Sequence, residues 1–191
     1  MIEVLVTLVI LSTGLLSMAT LQITGLRSTN SSTYRTQATL IASDIAERMR
    51  INPAAIRNND FMNVNSTANI DCSALPAPYC EEFYNADTSA IAPAQVCTTN
   101  QMAAFDINVW FCGQAISTAG TGARAGGVQK ILPSAIATIT CRDTNPGGVA
   151  DADPCTNRSP HIIRITWNEP NPIPDSAIPI ISQNISMTIQ P

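Results

Sequence analysis

"MIEVLVTLVILSTGLLSMATLQITGL", residues 1–26, decides the architecture of this chain. From Val4 to Leu26 the chain has 23 uncharged residues, and Glu3 is the one charged residue before Arg27. As a helix rising 1.5 Å per residue, this run extends roughly 35 Å, which is enough to cross the hydrocarbon core of a bilayer. A signal peptide would open with basic residues and end at a small-residue cleavage site. An acid at the start therefore indicates an anchor that is retained.

The helical pattern continues beyond the apolar run. Asp44 can pair with Arg48 at i+4, and Glu47 with Arg50 at i+3, along the exposed side of a helix. The opposite side carries apolar residues at intervals of three and four, which predicts a stripe that packs on a folded domain. The stripe consists of Tyr34, Ala38, Ile41, Ile45 and Met49.

Pro53 ends this helix, because the residue before a proline is disfavoured in helical conformation. One helix is therefore predicted from about residue 2 to about residue 51, roughly 75 Å long. The chain divides into three segments: residues 1–26 as the transmembrane or filament-core half, residues 27–52 as the amphipathic half, and residues 53–191 as one head domain.

Charge and cysteine content restrict the function. The formal net charge is -4, with ten Lys plus Arg, so no basic patch for nucleic acid is expected. All six cysteines come after the anchor, and an even number predicts three disulfides in an oxidising compartment outside the cytoplasm. A zinc site is disfavoured, since no C-x-x-C spacing occurs and His161 is the one histidine. The cysteines are Cys72, Cys80, Cys97, Cys112, Cys141 and Cys155.

Sequence alone leaves most of the disulfide pairing open. A hairpin-like bond between Cys141 and Cys155 is predicted, and closing this loop of about 15 residues contributes roughly 3 kcal/mol in the chain-entropy model. Arg27 and Arg35 predict a different location from the cysteines. Cationic residues after a span favour a cytoplasmic location for the domain that follows, whereas the cysteines predict one outside the cytoplasm. A basic leader upstream of Met1 would remove this conflict.

The sequence of the head domain indicates an α+β architecture. Residues 53–100 are expected to be mostly loop, and "STAGTGARAGG" (117–127) a flexible connector. "TTNQMAAFDINVWFCGQ" (98–114) predicts a helix of about 12 residues, capped by Asn100. The core face of this helix would consist of Met102, Phe105, Val109 and Phe111 or Cys112.

Three runs of period two then predict strands. The first two should pair antiparallel, and the prolines of "NEPNPIPDSAIP" (168–179) predict a stiff, extended crossing to the third. A long helix against a small antiparallel sheet is an α+β fold. The inward residues of the three runs are Ala137, Ile139 and Cys141, then Ile163, Ile165 and Trp167, then Ile185, Met187 and Ile189.

Enzymatic and ligand-binding motifs are weak. "GTGARAGG" (120–127) lacks the spacing and preceding strand of a phosphate loop, and there is no G-x-S-x-G or H-E-x-x-H. His161, at the start of a strand, is expected at the surface. We therefore predict no enzyme and no cofactor. An acidic loop could offer oxygen ligands to calcium, but its spacing departs from the EF-hand and a solvated loop is expected. Its polar residues are Asp143, Asn145, Asp151 and Asp153.

The N-terminal region resembles the type IV pilins, and "IEVLVTLVILSTGLLSMATLQ" followed by "QATLIASDIAERMRINP" is similar to minor pilins of the PilV kind. The resemblance covers about the first 53 residues, while the rest agrees in layout. It implies that a prepilin peptidase removes a short basic leader before a phenylalanine and methylates the new amine. The leader and first mature residues would then precede Met1, and Glu3 would match the family's glutamate. In such filaments this carboxylate pairs with the N-terminal amine of a neighbouring subunit, and Val4 to Gly25 would form the filament contact.

The resemblance implies a minor pilin that assembles with other minor pilins and the major pilin to prime or cap a type IV pilus, in pilus biogenesis, twitching motility and adhesion. The head would be periplasmic on an inner-membrane anchor before assembly, and then part of the extracellular pilus near its tip. A tip adhesin is a further candidate partner. The alternatives are a minor pseudopilin of a type II secretion system, a membrane-tethered adhesin that does not polymerise and, more remotely, an anchored hydrolase that uses His161.

Overall fold

A computed structural model describes residues 2–86, 88–115, 124–142, 159–171 and 178–190 of the chain. The helices are α1 (Ile2–Ile51), α2 (Pro53–Arg57), α3 (Thr99–Cys112) and α4 (Val128–Ile131). The strands are β1 (Val64–Asn65), β2 (Phe83–Asn85), β3 (Ala90–Ala92), β4 (Gln114–Ala115), β5 (Arg124–Ala125), β6 (Ile136–Cys141), β7 (His161–Pro170) and β8 (Ile180–Ile189). The predicted long helix, the α+β class and the loop-rich stretch before α3 are confirmed.

The main sheet has four strands in the order β1-β6-β7-β8, and every neighbouring pair is antiparallel. Its centre is β7, in which alternate residues are buried from His161 onward. Ile163, Ile165 and Trp167 on this face are fully buried. The remaining strands form two short ribbons, β2-β3 and β4-β5.

The second half of α1 covers this face of the sheet. Ala38, Ile45 and Met49 of the predicted stripe are fully buried, and Tyr34 and Ile41 pack partly buried against the same core. Helix and head therefore share one hydrophobic core from about Tyr34 onward, and Ala38 is the first fully buried residue of α1. The amphipathic prediction is therefore confirmed.

Helix α3 spans 14 residues, slightly more than predicted, and its cap is Thr98 instead of Asn100. The Thr98 backbone N–H donates to Gln101 Oε1 at 2.9 Å, which satisfies one of the donors left free at the helix start. Phe105, Val109, Phe111 and Cys112 are buried as expected, whereas Met102 is half-buried.

Two glycines after α3, Gly113 and Gly127, allow their backbone segments to lie close to each other. Gly113 ends the helix at φ 93°, a conformation that favours glycine. A Cβ on Gly127 would lie 2.2 Å from the Gly113 backbone nitrogen, so no larger residue fits there without a backbone shift. The prediction of a flexible connector is thus wrong for its end, where Arg124–Ala125 also pairs with β4. Residues 116–123 lie outside the described residues.

Two expectations for β7 are wrong. The strand continues through Asn168, Glu169 and Pro170, where a proline-rich crossing was expected. The reason is that β6 begins at Ile136, opposite Thr166, so the residues of β7 after Thr166 pair with β8 alone. Pro170 then sits at the strand end, where a missing N–H is tolerated. The six residues 172–177 lie outside the described part.

His161 is the second correction, because it is only 2% exposed instead of lying at the surface. It belongs to the alternating face of β7 that is turned towards the core. Its Nδ1 lies 3.1 Å from the Ser159 carbonyl oxygen, and its Nε2 is buried without a hydrogen-bond partner. Burial lowers the pKa of His161, although the contact with Ser159 acts in the opposite direction.

Candidate functional site

The first half of α1 is an uncovered apolar surface. Its large apolar side chains range from 52% exposed at Val6 to 79% at Ile2. The most apolar window of 18 residues has a mean hydropathy of 2.2, and none of it is buried. The helix is thus long and apolar enough to cross a membrane. Within the described residues this window is uncovered, and a large exposed apolar surface is typical of membrane or protein contact sites.

Every hydroxyl side chain between residues 2 and 26 donates to a carbonyl oxygen of the helix itself, three or four residues earlier. Thr7 donates to the Val4 carbonyl at 2.9 Å, for example, and Thr24 donates to Thr20 at 3.0 Å. In an apolar environment an unpaired hydroxyl would be costly, and these bonds remove that cost. The threonines and serines of the segment are therefore compatible with hydrocarbon surroundings.

Glu3 is the exception on this surface. It lies in the first turn of α1 that the structure describes. Its side chain is exposed, and no hydrogen bond or ion pair to it occurs within the described part of the chain. Roughly 45 Å of helix separate Glu3 from Tyr34, which already packs against the core of the head. The structure therefore does not bring Glu3 close to the predicted disulfide residues, all of which are in the head.

The helix is fixed to the head by a charged contact with α3. Arg48 Nη1 donates to Asp106 Oδ1 and to Glu81 Oε1, both at 2.8 Å, and Arg48 Nε donates to Asp44 at 3.2 Å. The Asp106 side chain is 6% exposed, compared with 38% for Glu81 and 54% for Asp44. Asp106 is thus the buried partner of this contact.

Three carboxylates share this one guanidinium. Burial alone would lower the pKa of Arg48, but its hydrogen bond to Asp106 and the nearby negative charges outweigh burial and raise it. Burial raises the pKa of Asp106, and the charges of Glu81 and Asp44 act in the same direction, against the hydrogen bond from Arg48. Arg48 consequently stays charged, while Asp106 takes up a proton more readily than an exposed aspartate.

A second polar contact joins the same elements. Trp110 of α3 is 2% exposed, and its Nε1 donates to the Ile41 backbone carbonyl of α1 at 2.9 Å. The two predicted pairs along α1 are also present, Asp44 with Arg48 and Glu47 with Arg50. Sequence reasoning missed Asp106, Glu81 and Trp110 as partners of α1. The burial of Asp106 against a cation could have been predicted from its position, since it is an acid among the apolar residues of α3.

Two disulfides in the described residues hold the loop-rich part of the head. Cys72 is bonded to Cys112 at the end of α3, and Cys80 is bonded to Cys97 across the β2-β3 ribbon. Cys141 is also disulfide-bonded. Its predicted partner Cys155 lies outside the described residues, as does the acidic loop proposed as a calcium alternative, at Asp143, Asn145, Asp151 and Asp153. The Cys141–Cys155 pairing stays a prediction.

Comparison with known proteins gives one family. The family model described as Tt1218-like, Type IV pilin Tt1218, matches residues 20–108, which include the second half of α1 and most of α3. No curated protein and no solved structure matches the chain. The match supports a type IV pilin and a pilin subunit role. Together with the long helix, the antiparallel sheet and the disulfides, it fits an α+β, type IV pilin-like fold.

Proposed function

We propose that the chain is a minor pilin, which assembles with other minor pilins and the major pilin to prime or cap a type IV pilus. The observation that supports this proposal is the uncovered apolar half of α1, continuous with a half that is buried in the head. In a filament of such subunits, the uncovered halves cover one another. The head then faces outward and carries the surface that distinguishes one subunit from another.

Before assembly, the same helix half anchors the subunit in the inner membrane with its head in the periplasm. That compartment is oxidising, which agrees with the disulfides of the head. A prepilin peptidase would cleave and methylate the N-terminus, and the assembled subunit would lie near the pilus tip, where a tip adhesin is a candidate neighbour. Twitching motility and adhesion would result from the assembled pilus. No chemical step at the head is needed.

Glu3 makes assembly selective. A carboxylate in hydrocarbon costs several kcal/mol unless it is paired, protonated or placed at the interface. The N-terminal amine of a neighbouring subunit would supply the missing opposite charge in one register only. This partner would be met in the filament, so pairing favours the assembled state over the membrane-anchored one.

The test is Glu3→Ala in cells that assemble pili. We expect normal amounts of the variant in the inner membrane and at least about a tenfold loss from the sheared pilus fraction, because a pair worth more than about 1.4 kcal/mol changes the equilibrium by that factor. Quantitative immunoblots of both fractions measure it. Glu47→Gln is the matched control, since Glu47 is an exposed acid on the same helix but in its head half.

Wild-type levels of the Glu3 variant in pili would refute the proposed role of this residue. A wild-type chain that never appears in sheared pili, yet still mediates adhesion from the membrane, would contradict the minor-pilin proposal and favour the tethered adhesin.

A further inference from the structure

A groove of about 490 Å³ lies at the end of the head nearest the apolar half of α1. One wall is formed by α1 within residues 24–35, and the other includes Pro170 of β7 and Ile181 of β8. Arg27 in the helical wall is the first charged residue after the uncharged run 4–26. In a membrane-anchored subunit the groove therefore begins at the level of the lipid headgroups.

Two arginines bring positive charge to the groove. Arg35 Nη2 donates to Gln183 Oε1 at 2.6 Å, and both residues line the groove, so this guanidinium lies between α1 and β8. Its other N–H groups have no partner among the described residues and are available as donors. Arg27 is exposed and has no ion pair or side-chain hydrogen bond within the same part of the chain. The two residues are roughly 12 Å apart along the helix axis, so their long side chains can approach one ligand from both sides.

Serine hydroxyls in the same wall are not bonded to the helix. Every other serine and threonine of α1 donates to a helix carbonyl three or four residues earlier. Ser28, Ser31 and Ser32 line the groove, and their hydroxyls make no hydrogen bond within the residues that the structure describes. A hydroxyl that is free of the helix can donate to a ligand. The helical wall thus combines free hydroxyls with the two guanidinium groups.

Among the described residues, Glu169 is the one acid that lines the groove. It is 5% exposed, and its Oε1 accepts from Trp167 Nε1 at 2.6 Å, so this oxygen is engaged with the core. Two arginines against one acid favour an anion in the groove. The chain as a whole has a formal net charge of -4, so this positive site is a local exception.

We propose that this groove binds the phosphate group of a membrane phospholipid, whose acyl chains lie along the apolar half of α1. Guanidinium groups bind phosphate oxygens through charge-assisted hydrogen bonds, and the free hydroxyls add further donors. Ile178 and Ile180, at the start of β8, are exposed apolar residues beside the groove and would contact the membrane interface. The proposal rests on the membrane anchoring that the proposed function assigns to α1, but it requires neither assembly nor Glu3.

A phospholipid uses more of this surface than a smaller anion does. Inorganic phosphate could use the arginines and serines, but it would leave the apolar surfaces on both sides of the groove uncovered. A carboxylate of a neighbouring subunit would do the same. A lipid combines the two chemistries in one molecule, because its phosphate is joined to acyl chains at the depth where the charged groove meets the apolar helix.

The test is a titration of the full chain in neutral detergent micelles with dihexanoylphosphatidylglycerol, monitored through the backbone amide NMR signals of residues 27–35 and 180–183. Dihexanoylglycerol, which has the same acyl chains without the phosphate, is the control ligand, and inorganic phosphate represents a free anion. We expect saturable binding of the phospholipid and at least about threefold weaker binding to Arg27→Gln, because one interfacial cation is lost. Replacing Arg27 and Arg35 together by glutamine should weaken binding by at least about tenfold.

Arg57→Gln is the matched control variant, since Arg57 is an exposed arginine that does not line the groove, and its affinity should equal that of the wild type. Equal binding of dihexanoylglycerol and the phospholipid to the wild-type chain would overturn the proposal without any variant. An unchanged affinity of Arg27→Gln would do the same. The absence of saturable phospholipid binding would also overturn it and favour a carboxylate of a neighbouring subunit as the partner of the arginines.

Inorganic phosphate that binds as tightly as the phospholipid would overturn the assignment to a lipid and indicate a site for free anions. All of these measurements are made on micelles without pili. Their failure would therefore leave the expected loss of Glu3→Ala from the pilus fraction unchanged, and a failure of that experiment would leave lipid binding unchanged.

Discussion

Removing the Arg48 side chain is expected to weaken the attachment of the long helix to the head more than any other single charge change on that helix. Arg48→Ala leaves Asp106, with its 6% exposed side chain, without its cation. Breaking a buried ion pair on one side costs about 3–5 kcal/mol, because the remaining charge is desolvated and unpaired. Since the Arg48 side chain is itself 23% exposed and water can partly replace it, we expect a value near the lower end, about 3 kcal/mol.

Urea unfolding of the full chain in micelles, monitored by tryptophan fluorescence, measures this loss, because Trp110 and Trp167 are both buried and Trp110 also contacts α1. With an m-value of about 2 kcal/mol per molar urea, the midpoint should fall by roughly 1.5 M. Arg50→Ala is the matched control, because Arg50 and Glu47 are 55% and 62% exposed and an exposed pair contributes at most about 1 kcal/mol.

Acidity provides an independent readout of the same contact. Burial raises the pKa of Asp106, so its charge, and with it the cost of losing Arg48, disappears as the pH falls through that raised value. The difference in free energy of unfolding between Arg48→Ala and the wild type should therefore shrink from pH 7 towards pH 4. Adding Asp106→Asn to the Arg48→Ala chain should restore part of the lost stability at pH 7. Equal midpoints for Arg48→Ala and Arg50→Ala, or a difference that does not depend on pH, would refute the reasoning.

Two further predictions concern the head. Replacing both Cys72 and Cys112 by alanine opens a loop with a sequence separation of 40, which should lower the free energy of unfolding by about 4 kcal/mol in the chain-entropy model; an unchanged urea midpoint would contradict it. Burial lowers the pKa of His161 in the folded chain, so stability should be complete above its ordinary pKa and fall as the pH drops below it, by at most about 1.4 kcal/mol per pH unit from this group. His161→Asn, which can keep the hydrogen bond to Ser159, should unfold with a flatter dependence between pH 6 and 4, and a slope equal to that of the wild type would exclude His161 as the source.

Local periodicity was enough to predict the long helix and the strand core, since the information lies in contiguous residues. The stripe from Tyr34 to Met49 and the alternation around Ile163 and Ile165 each predict a buried face before any partner is known. The same alternation places His161 on the buried face, because it lies two residues before Ile163 on the same strand. Its burial was predictable from the strand pattern, and the general tendency of histidine towards the surface was the wrong guide.

Contacts between distant segments could not be predicted in the same way. Arg48 and Asp106 are separated by 58 positions, and nothing in either local pattern identifies the other as its partner. The pairing of Cys72 with Cys112 is similar, because six cysteines allow 15 connectivities and spacing distinguishes few of them. Glu3 was singled out by position and by resemblance, and the described head residues contribute nothing to its environment.

The self-satisfied hydroxyls of the first half of α1 have a consequence for how the subunit changes surroundings. Because Thr7, Thr24 and the serines and threonines between them are bonded within their own turn of helix, a move from lipid to a protein neighbour requires no exchange of their polar partners. Such a transfer replaces one set of hydrocarbon contacts by another of nearly equal free energy. In the proposed assembly, the balance between the two locations would then be left to shape complementarity and to the one ionisable group of this segment, Glu3.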